Sequence, residues 1–381
     1  MKASVLCDVG RLEVRDVAVP KISPYDVLVR VSAVGICGTD AHIFAGHANY
    51  NTDAQGKPIP LSVEPQILGH EVNGRLVEKG SEVNDLEIGD HVVIDQGINC
   101  VSSRRTPLCE YCRTGDSHQC EFYREHGIAG LPGGLAEFMS VPAVNAVRIQ
   151  SQLDAAEAAL TEPLGCIIHS SDAVTRAHTR YSLQADSPED RVRTVLICGA
   201  GPAGLLFTQY LRRVLNYDGR LLVSAPTEWK RNFATMYGAD DVLDAKDPDL
   251  AAIVKDKTQG RGVEYLIEAS GAGQAIQSMP GLIRKQATVL LYGHGHAGVD
   301  LSALNNLMFK EPTLVTPVGA SGGFQADGRP SVYARALSLI EEHKIEVASF
   351  ITHRYTSLGA VQGALEHDMR TPHYLKGVVM R

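Results

Sequence analysis

The 381-residue sequence has no run of eighteen apolar residues, which excludes a transmembrane helix on sequence grounds. It also lacks a basic excess: 36 Lys and Arg stand against 44 Asp and Glu, a formal charge of −8. Without a Lys/Arg stripe there is no electrostatic footprint for nucleic acid and no attraction to an anionic membrane. The start, Met1-Lys2-Ala3-Ser4-Val5-Leu6-Cys7, has neither the long apolar stretch nor the small-residue cleavage site of a secretory signal. It reads as the first strand of a cytoplasmic protein. Internal repeats and low-complexity tracts are absent as well. What remains is an ordinary globular composition, 44% apolar and 21% charged, with length enough for two or three domains and an ample core.

Against this plain background the cysteines stand out. The eight are Cys7, Cys37, Cys100, Cys109, Cys112, Cys120, Cys166 and Cys198. In a reducing compartment they are thiols or metal ligands and not a disulfide framework. Four of them fall in one short stretch: Cys100, then Cys109-Glu110-Tyr111-Cys112, then Cys120. Four thiolates with one C-x₂-C pair describe a closed structural zinc site. The interval Val101–Leu108, with Arg104 and Arg105, lengthens the first gap, so Cys100 is the ligand that the spacing leaves open.

Val34-Gly35-Ile36-Cys37-Gly38-Thr39-Asp40-Ala41-His42 is answered thirty residues on by Gly69-His70-Glu71. A thiolate, an imidazole and a carboxylate form a donor set better suited to zinc than to magnesium or calcium. Thr39 and His42 add a hydroxyl and an imidazole able to pass a proton. Glu162, beside Pro163, is a further inward-facing carboxylate, with Cys166 its rival. Pro163 is expected to end or kink a helical stretch running from Ala155 to Ala177.

The first hundred residues alternate short β-rich runs with turns, as at Val27–Val31, Val72–Val77 and His91–Asp95, and imply a barrel-like all-β domain. The polar segment Gly46–Pro65 reads as a substrate-side loop, with His47, Asn49 and Tyr50 either meeting substrate hydroxyls or serving the loop alone. After a polar connection at Ser182–Asp190 the pattern changes. Thr194–Cys198 is a short apolar strand, followed by Gly199-Ala200-Gly201-Pro202-Ala203-Gly204 and a helix over Leu205–Leu215. Strand, G-x-G-x-x-G and helix in this order are a dinucleotide fingerprint: the glycines permit a tight turn and close approach of a pyrophosphate to the helix N-terminus. Further strands are expected at Arg220–Ser224, Asp241–Leu243, Val263–Ala269, Ala287–Tyr292 and Thr313–Val318, with helices between, giving a doubly wound parallel sheet. His294 and His296, after one of these strands, read as loop histidines.

In this order the motifs resemble the zinc-containing medium-chain dehydrogenase/reductase superfamily, in its sorbitol, threonine and glucose dehydrogenase-like branch. The resemblance rests on G-I-C-G-T-D-x-H, G-H-E, the cysteine cluster, E-P-L, G-A-G-P-A-G, Ile267-Glu268-Ala269-Ser270-Gly271 and Ile351-Thr352-His353-Arg354. It implies an α/β chain: a GroES-like β-barrel catalytic domain over 1–163, completed by 320–381, with a Rossmann domain over 164–319 inserted. It also implies a catalytic zinc held by Cys37, His70 and either Glu71 or Glu162. Asp40 would steady His70, Thr39 and His42 would relay the alcohol proton, and the protein would form homodimers or homotetramers.

One departure concerns the cofactor. About twenty residues past the glycines an acid should grip the ribose 2′-hydroxyl of NAD. Ser224-Ala225-Pro226-Thr227 stands there, followed by Glu228, Lys230 and Arg231. Without the carboxylate, and with two cations able to pair with a phosphate, the balance favours NADP over NAD. Gly199, Gly201, Pro202, Ala203, Gly204, Ser224, Lys230 and Arg231 are the cofactor-side residues. The expected reaction is reversible oxidation of a secondary alcohol of a polyol, sugar, cyclitol or amino alcohol to a ketone. Two alternatives are a zinc hydrolase, against which the intact dinucleotide fingerprint speaks, and a non-catalytic binding protein, against which the retained ligands and relay residues speak.

Overall fold

The computed structural model describes residues 1–381. The chain divides into two compact units, Met1–Cys166 with Gly319–Arg381, and Ile167–Val318. None of its helices is long and apolar enough to cross a membrane.

The first unit is built on the strand Asp26–Ile36, in which Val27, Leu28, Val29, Val31 and the run Ala33–Ile36 are buried, leaving Arg30 as its one exposed residue. One edge of this strand pairs antiparallel with Glu71–Lys79. Its other edge takes Phe138–Pro142 along the first half and Lys376–Met380 along the second. His91–Ile94, Ala146–Arg148 and Ile351–Tyr355 complete a seven-stranded sheet. Its core joins Val27, Val29, Val34, Leu76, Ile94 and Val379 in one buried cluster. Burial of such side chains contributes roughly 1.5–3 kcal/mol each. The seam between the two chain ends is therefore fixed by packing as well as by ladder hydrogen bonds.

The second unit is a six-stranded parallel sheet in the order Asp241–Asp244, Arg220–Ala225, Thr194–Cys198, Val263–Glu268, Ile283–Leu291, Thr313–Val315. Strand order reverses at Thr194–Cys198, the switch point at which doubly wound sheets bind ligands. Leu196, Leu222, Leu266 and Val289 are fully buried at its centre.

Two helical expectations need correction. The helical stretch is interrupted, but ahead of Pro163: it breaks at Ala159–Leu160, between the helices Ala155–Ala158 and Thr161–Arg176. Pro163 is the third residue of the second, in the first turn, where a backbone N–H would have no intrahelical partner anyway. The helix expected over Leu205–Leu215 is α-helical only as Pro202–Gln209, and Tyr210–Val214 forms a π-helical turn.

Candidate active site and metal centres

Three strand ends of the first unit meet at one point. Cys37 follows the strand Asp26–Ile36 and opens the helix Gly38–Phe44. His70 precedes the strand Glu71–Lys79, and Glu71 pairs directly across from Gly35. Lys376 begins the strand Lys376–Met380, which pairs with the same central strand from its other side. The ligand atoms of Cys37, His70 and Glu71 lie within 4.8 Å of one another.

Asp40 ties this corner together. Its Oδ2 accepts the Cys37 N–H at 2.8 Å and its Oδ1 accepts the Gly69 N–H at 3.1 Å. The same Oδ1 stands 3.6 Å from His70 Nδ1, which leaves the other ring nitrogen of His70 for a ligand. Burial works to raise the Asp40 pKa, but the neighbouring imidazole and the two N–H groups bring it below the ordinary carboxylate value. Burial likewise opposes a charged His70, yet Asp40 and Cys37 outweigh it and push the imidazole well above its ordinary value.

Glu71 is fully buried, and the Lys376 ammonium donates to its Oε1 at 2.5 Å. Its Oε2 has no hydrogen-bond partner. A buried carboxylate oxygen without a donor is costly unless a cation meets it, and with a thiolate and an imidazole alongside, the donor set fits zinc. Gly35 makes room for this oxygen: a Cβ there would lie 1.8 Å from it.

Thr39 Oγ1 lies 3.7 Å from Cys37 Sγ. His42 is half-buried on the same short helix, its ring centre 6.0 Å from that of His47. Glu162 stands outside the three-ligand group. Its Oε1 accepts from Gln96 Nε2 at 3.0 Å and from the Cys166 thiol at 3.3 Å. Burial lifts Glu162 to about 7 despite the opposing pull of His70. Burial and the Glu162 charge raise Cys166 well above its ordinary value, and Cys166, like Glu162, stands outside the three-ligand group. Of the loop residues, Asn49 is taken up locally: it donates to the Ile59 carbonyl at 2.8 Å and accepts from the Asn51 N–H and Gln66.

Cys100, Cys109, Cys112 and Cys120 form a second group with sulfurs within 4.8 Å of one another, all buried. The lengthened interval therefore leaves Cys100 inside the cluster. Arg104 and Arg105 project outward from that interval, over the rings of Tyr25 at 3.8 Å and Phe122 at 3.5 Å. Burial disfavours the Cys109 thiolate, but the N–H groups of Cys112 and Glu121 and the adjoining thiols bring it to about 6. Four buried, convergent sulfurs fit a closed zinc site.

In the second unit the three glycines do three different jobs. Gly199 has φ +116°, a left-handed conformation that favours glycine. Gly201 precedes the helix Pro202–Gln209, and a Cβ there would meet nothing within 4 Å. That open approach to a helix N-terminus suits a pyrophosphate. A Cβ on Gly204 would lie 1.9 Å from the Gly199 carbonyl, so it allows close helix–strand packing. Ala225 ends the neighbouring strand, and no acid stands at its tip. Arg231 donates to the Ala225 carbonyl at 2.6 Å and lies 3.6 Å from Asp244, so its guanidinium is fixed at that strand end. Burial lowers the pKa of Lys230. His296, expected to be a plain loop histidine, contacts Glu268 Oε2 at 2.7 Å, while Glu268 Oε1 accepts from the backbone of Ser270 and Gly271.

Sequence reasoning missed Gly35, Gln96, Glu125, Tyr333 and Lys376. Only Lys376 carried a signal, as a lone cation in the otherwise apolar run Leu375–Met380.

Residues 23–151 match the model of the alcohol dehydrogenase GroES-like domain, and 202–342 that of the zinc-binding dehydrogenase domain. L-Threonine 3-dehydrogenase of Pyrococcus furiosus is 31% identical over 354 residues, covering 93% of this chain and 91% of the relative. D-Arabinitol dehydrogenase 1 of Uromyces fabae is 28% identical over 340 residues, covering 88% and 85%. A Sinorhizobium meliloti structure, described as a zinc-binding dehydrogenase bound to NADP, superposes with a TM-score of 0.79 at 28% identity, covering 100% of this chain and 99% of its own. The chain belongs to the zinc-containing medium-chain dehydrogenase superfamily. It is an oxidoreductase of the NAD(P)-dependent alcohol dehydrogenase type.

Proposed function

We propose that this enzyme oxidises a secondary alcohol of a polyol, sugar, cyclitol or amino alcohol to a ketone, reversibly and with NADP in preference to NAD. The observation that carries the reading is the convergence of Cys37, His70 and Glu71 around a carboxylate oxygen without a donor. When bound there, zinc supplies positive charge that acidifies a substrate hydroxyl, and the nicotinamide supplies the hydride acceptor. Cys37, His70 and Glu71 hold the metal. The Asp40 carboxylate, 3.6 Å from Nδ1, steadies His70 electrostatically. Lys376 holds the Glu71 carboxylate in place through its hydrogen bond to Oε1. Thr39 takes the hydroxyl proton and His42, half-buried, passes it outward. The four cysteines hold a structural zinc.

The substrate class is supported by two relatives, one named for a hydroxy amino acid and one for a pentitol. The NADP preference is supported by the missing acid at Ala225 and the anchored Arg231 beside it. The edge strand Thr313–Val315, with exposed Leu304, Met308, Phe309 and Leu314 nearby, supports association into a homodimer or homotetramer. The test is reduced-nicotinamide absorbance with a panel of polyols, sugars, cyclitols and amino alcohols, with each cofactor, with and without a zinc chelator. Chelator-sensitive reduction of NADP is expected. A panel without turnover, from protein that binds neither cofactor, would overturn the reading.

A further inference from the structure

The buried amide of Gln96 sits between two carboxylates that the sequence motifs do not connect. Its Nε2 donates one hydrogen to Glu162 Oε1 at 3.0 Å and the other to Glu125 Oε1 at 3.2 Å. Its Oε1 accepts from the hydroxyl of Tyr333, a fully buried residue of the helix Ser331–Glu341. A phenol on the oxygen and carboxylates on the nitrogen leave the amide one orientation, because a flip would set an oxygen against two acids. Gln96, Glu125, Glu162 and Tyr333 are all buried, so no water replaces a lost bond at low cost. Glu162, held this way, lies outside the group formed by Cys37, His70 and Glu71.

We propose that Gln96 is a positioning residue: its carboxamide, oriented by Tyr333, retains Glu162 off the metal and thereby keeps a coordination position open for substrate. The inference rests on the zinc site proposed above. A charge-assisted hydrogen bond to a buried carboxylate is a strong restraint. Without it Glu162 keeps one donor on Oε1, the Cys166 thiol, and sits near the charges of Glu71 and Glu125. The cation held by Cys37, His70 and Glu71 is then the nearest compensation for its charge. Glu162 becomes a fourth protein ligand, which is the closed arrangement of a structural site and not the open one of a catalytic site.

The direction of the effect separates this role from a merely structural one. In Gln96→Leu, zinc release to a chelator is expected to slow by roughly ten-fold or more, the worth of one added charge-assisted contact, while kcat falls. The cobalt-substituted protein is expected to change its visible absorption. Adding Glu162→Gln to Gln96→Leu removes the would-be ligand and returns zinc release to the wild-type rate. Tyr333→Phe frees the amide to rotate and gives the same changes, smaller; it also serves if Gln96→Leu does not fold. Faster or unchanged zinc release in the variants, or a slowing that Glu162→Gln does not reverse, overturns the proposal. Cys37→Ser in the same assay tests the underlying site: unaltered metal content there overturns the zinc reading itself, whatever Gln96 does.

Discussion

At the residue scale the site is decided by a few side chains whose neighbours leave them little choice. Gly35 is the sharpest case, since any Cβ collides with Glu71 Oε2. Gly35→Ala is expected to displace Glu71 and release the metal held with Cys37 and His70, leaving the four-cysteine metal in place. Metal analysis of the purified variant checks this, and two metals retained per chain would contradict it. Asp95 offers a test of sign. Burial, then the charges of Glu125 and Glu162, raise it to about 7 against the pull of the Gly97 N–H. A carboxyl whose folded pKa exceeds its unfolded value binds more protons when folded, so stability falls as pH rises from about 4 to about 7. Asp95→Asn removes that loss. Its advantage over wild type in denaturant melts is expected to grow through this window, to at most about 4 kcal/mol, and level off above it. A constant difference across pH would contradict the assignment. The same scale shows where reading the sequence stops. Cys37, His70 and Glu71 stand out in the sequence because metal-ligand chemistry restricts residue type, and the fold brings their donor atoms together. Gln96 and Tyr333 do not stand out, because a buried amide and phenol are ordinary residues until the fold opposes them to Glu162.

At the scale of elements, the parallel sheet was the easiest part to read. Its strands are buried on both faces, so Thr194–Cys198 and the Tyr265–Ile267 stretch of Val263–Glu268 appear as short apolar runs. The first unit was harder, because Asp26–Ile36 pairs with Lys376–Met380 from the far end of the chain and no local pattern announces such a partner. Pro163 shows the precision of a local rule: the helical stretch does break, but at Ala159–Leu160, and the proline falls in the first turn of the helix that follows. The strand tip at Ala225 carries the cofactor prediction. Ala225→Asp restores an acid beside the ribose position and sets a charge against a 2′-phosphate. The ratio of kcat/KM for NADP over NAD is expected to fall by at least about ten-fold, roughly one lost charge-assisted contact. An unchanged ratio would show that the preference is set elsewhere.

At the scale of the whole molecule, two groups of candidate metal ligands of different character lie in one unit. The four cysteines are closed and all buried, whereas Cys37 is partly exposed beside the fully buried Glu71. The exposed apolar residues near Thr313–Val315 extend the account to assembly. Phe309→Asp with Leu314→Lys is expected to shift the protein to monomers in light scattering after size exclusion, and an unshifted mass would place the interface elsewhere. The central claim, that Cys37, His70 and Glu71 hold a metal separate from the cysteine cluster, is tested most directly by the zinc content of wild type and Cys37→Ser, both folded. The account predicts two zinc ions per chain in the first and one in the second. Equal zinc content in the two proteins would contradict it.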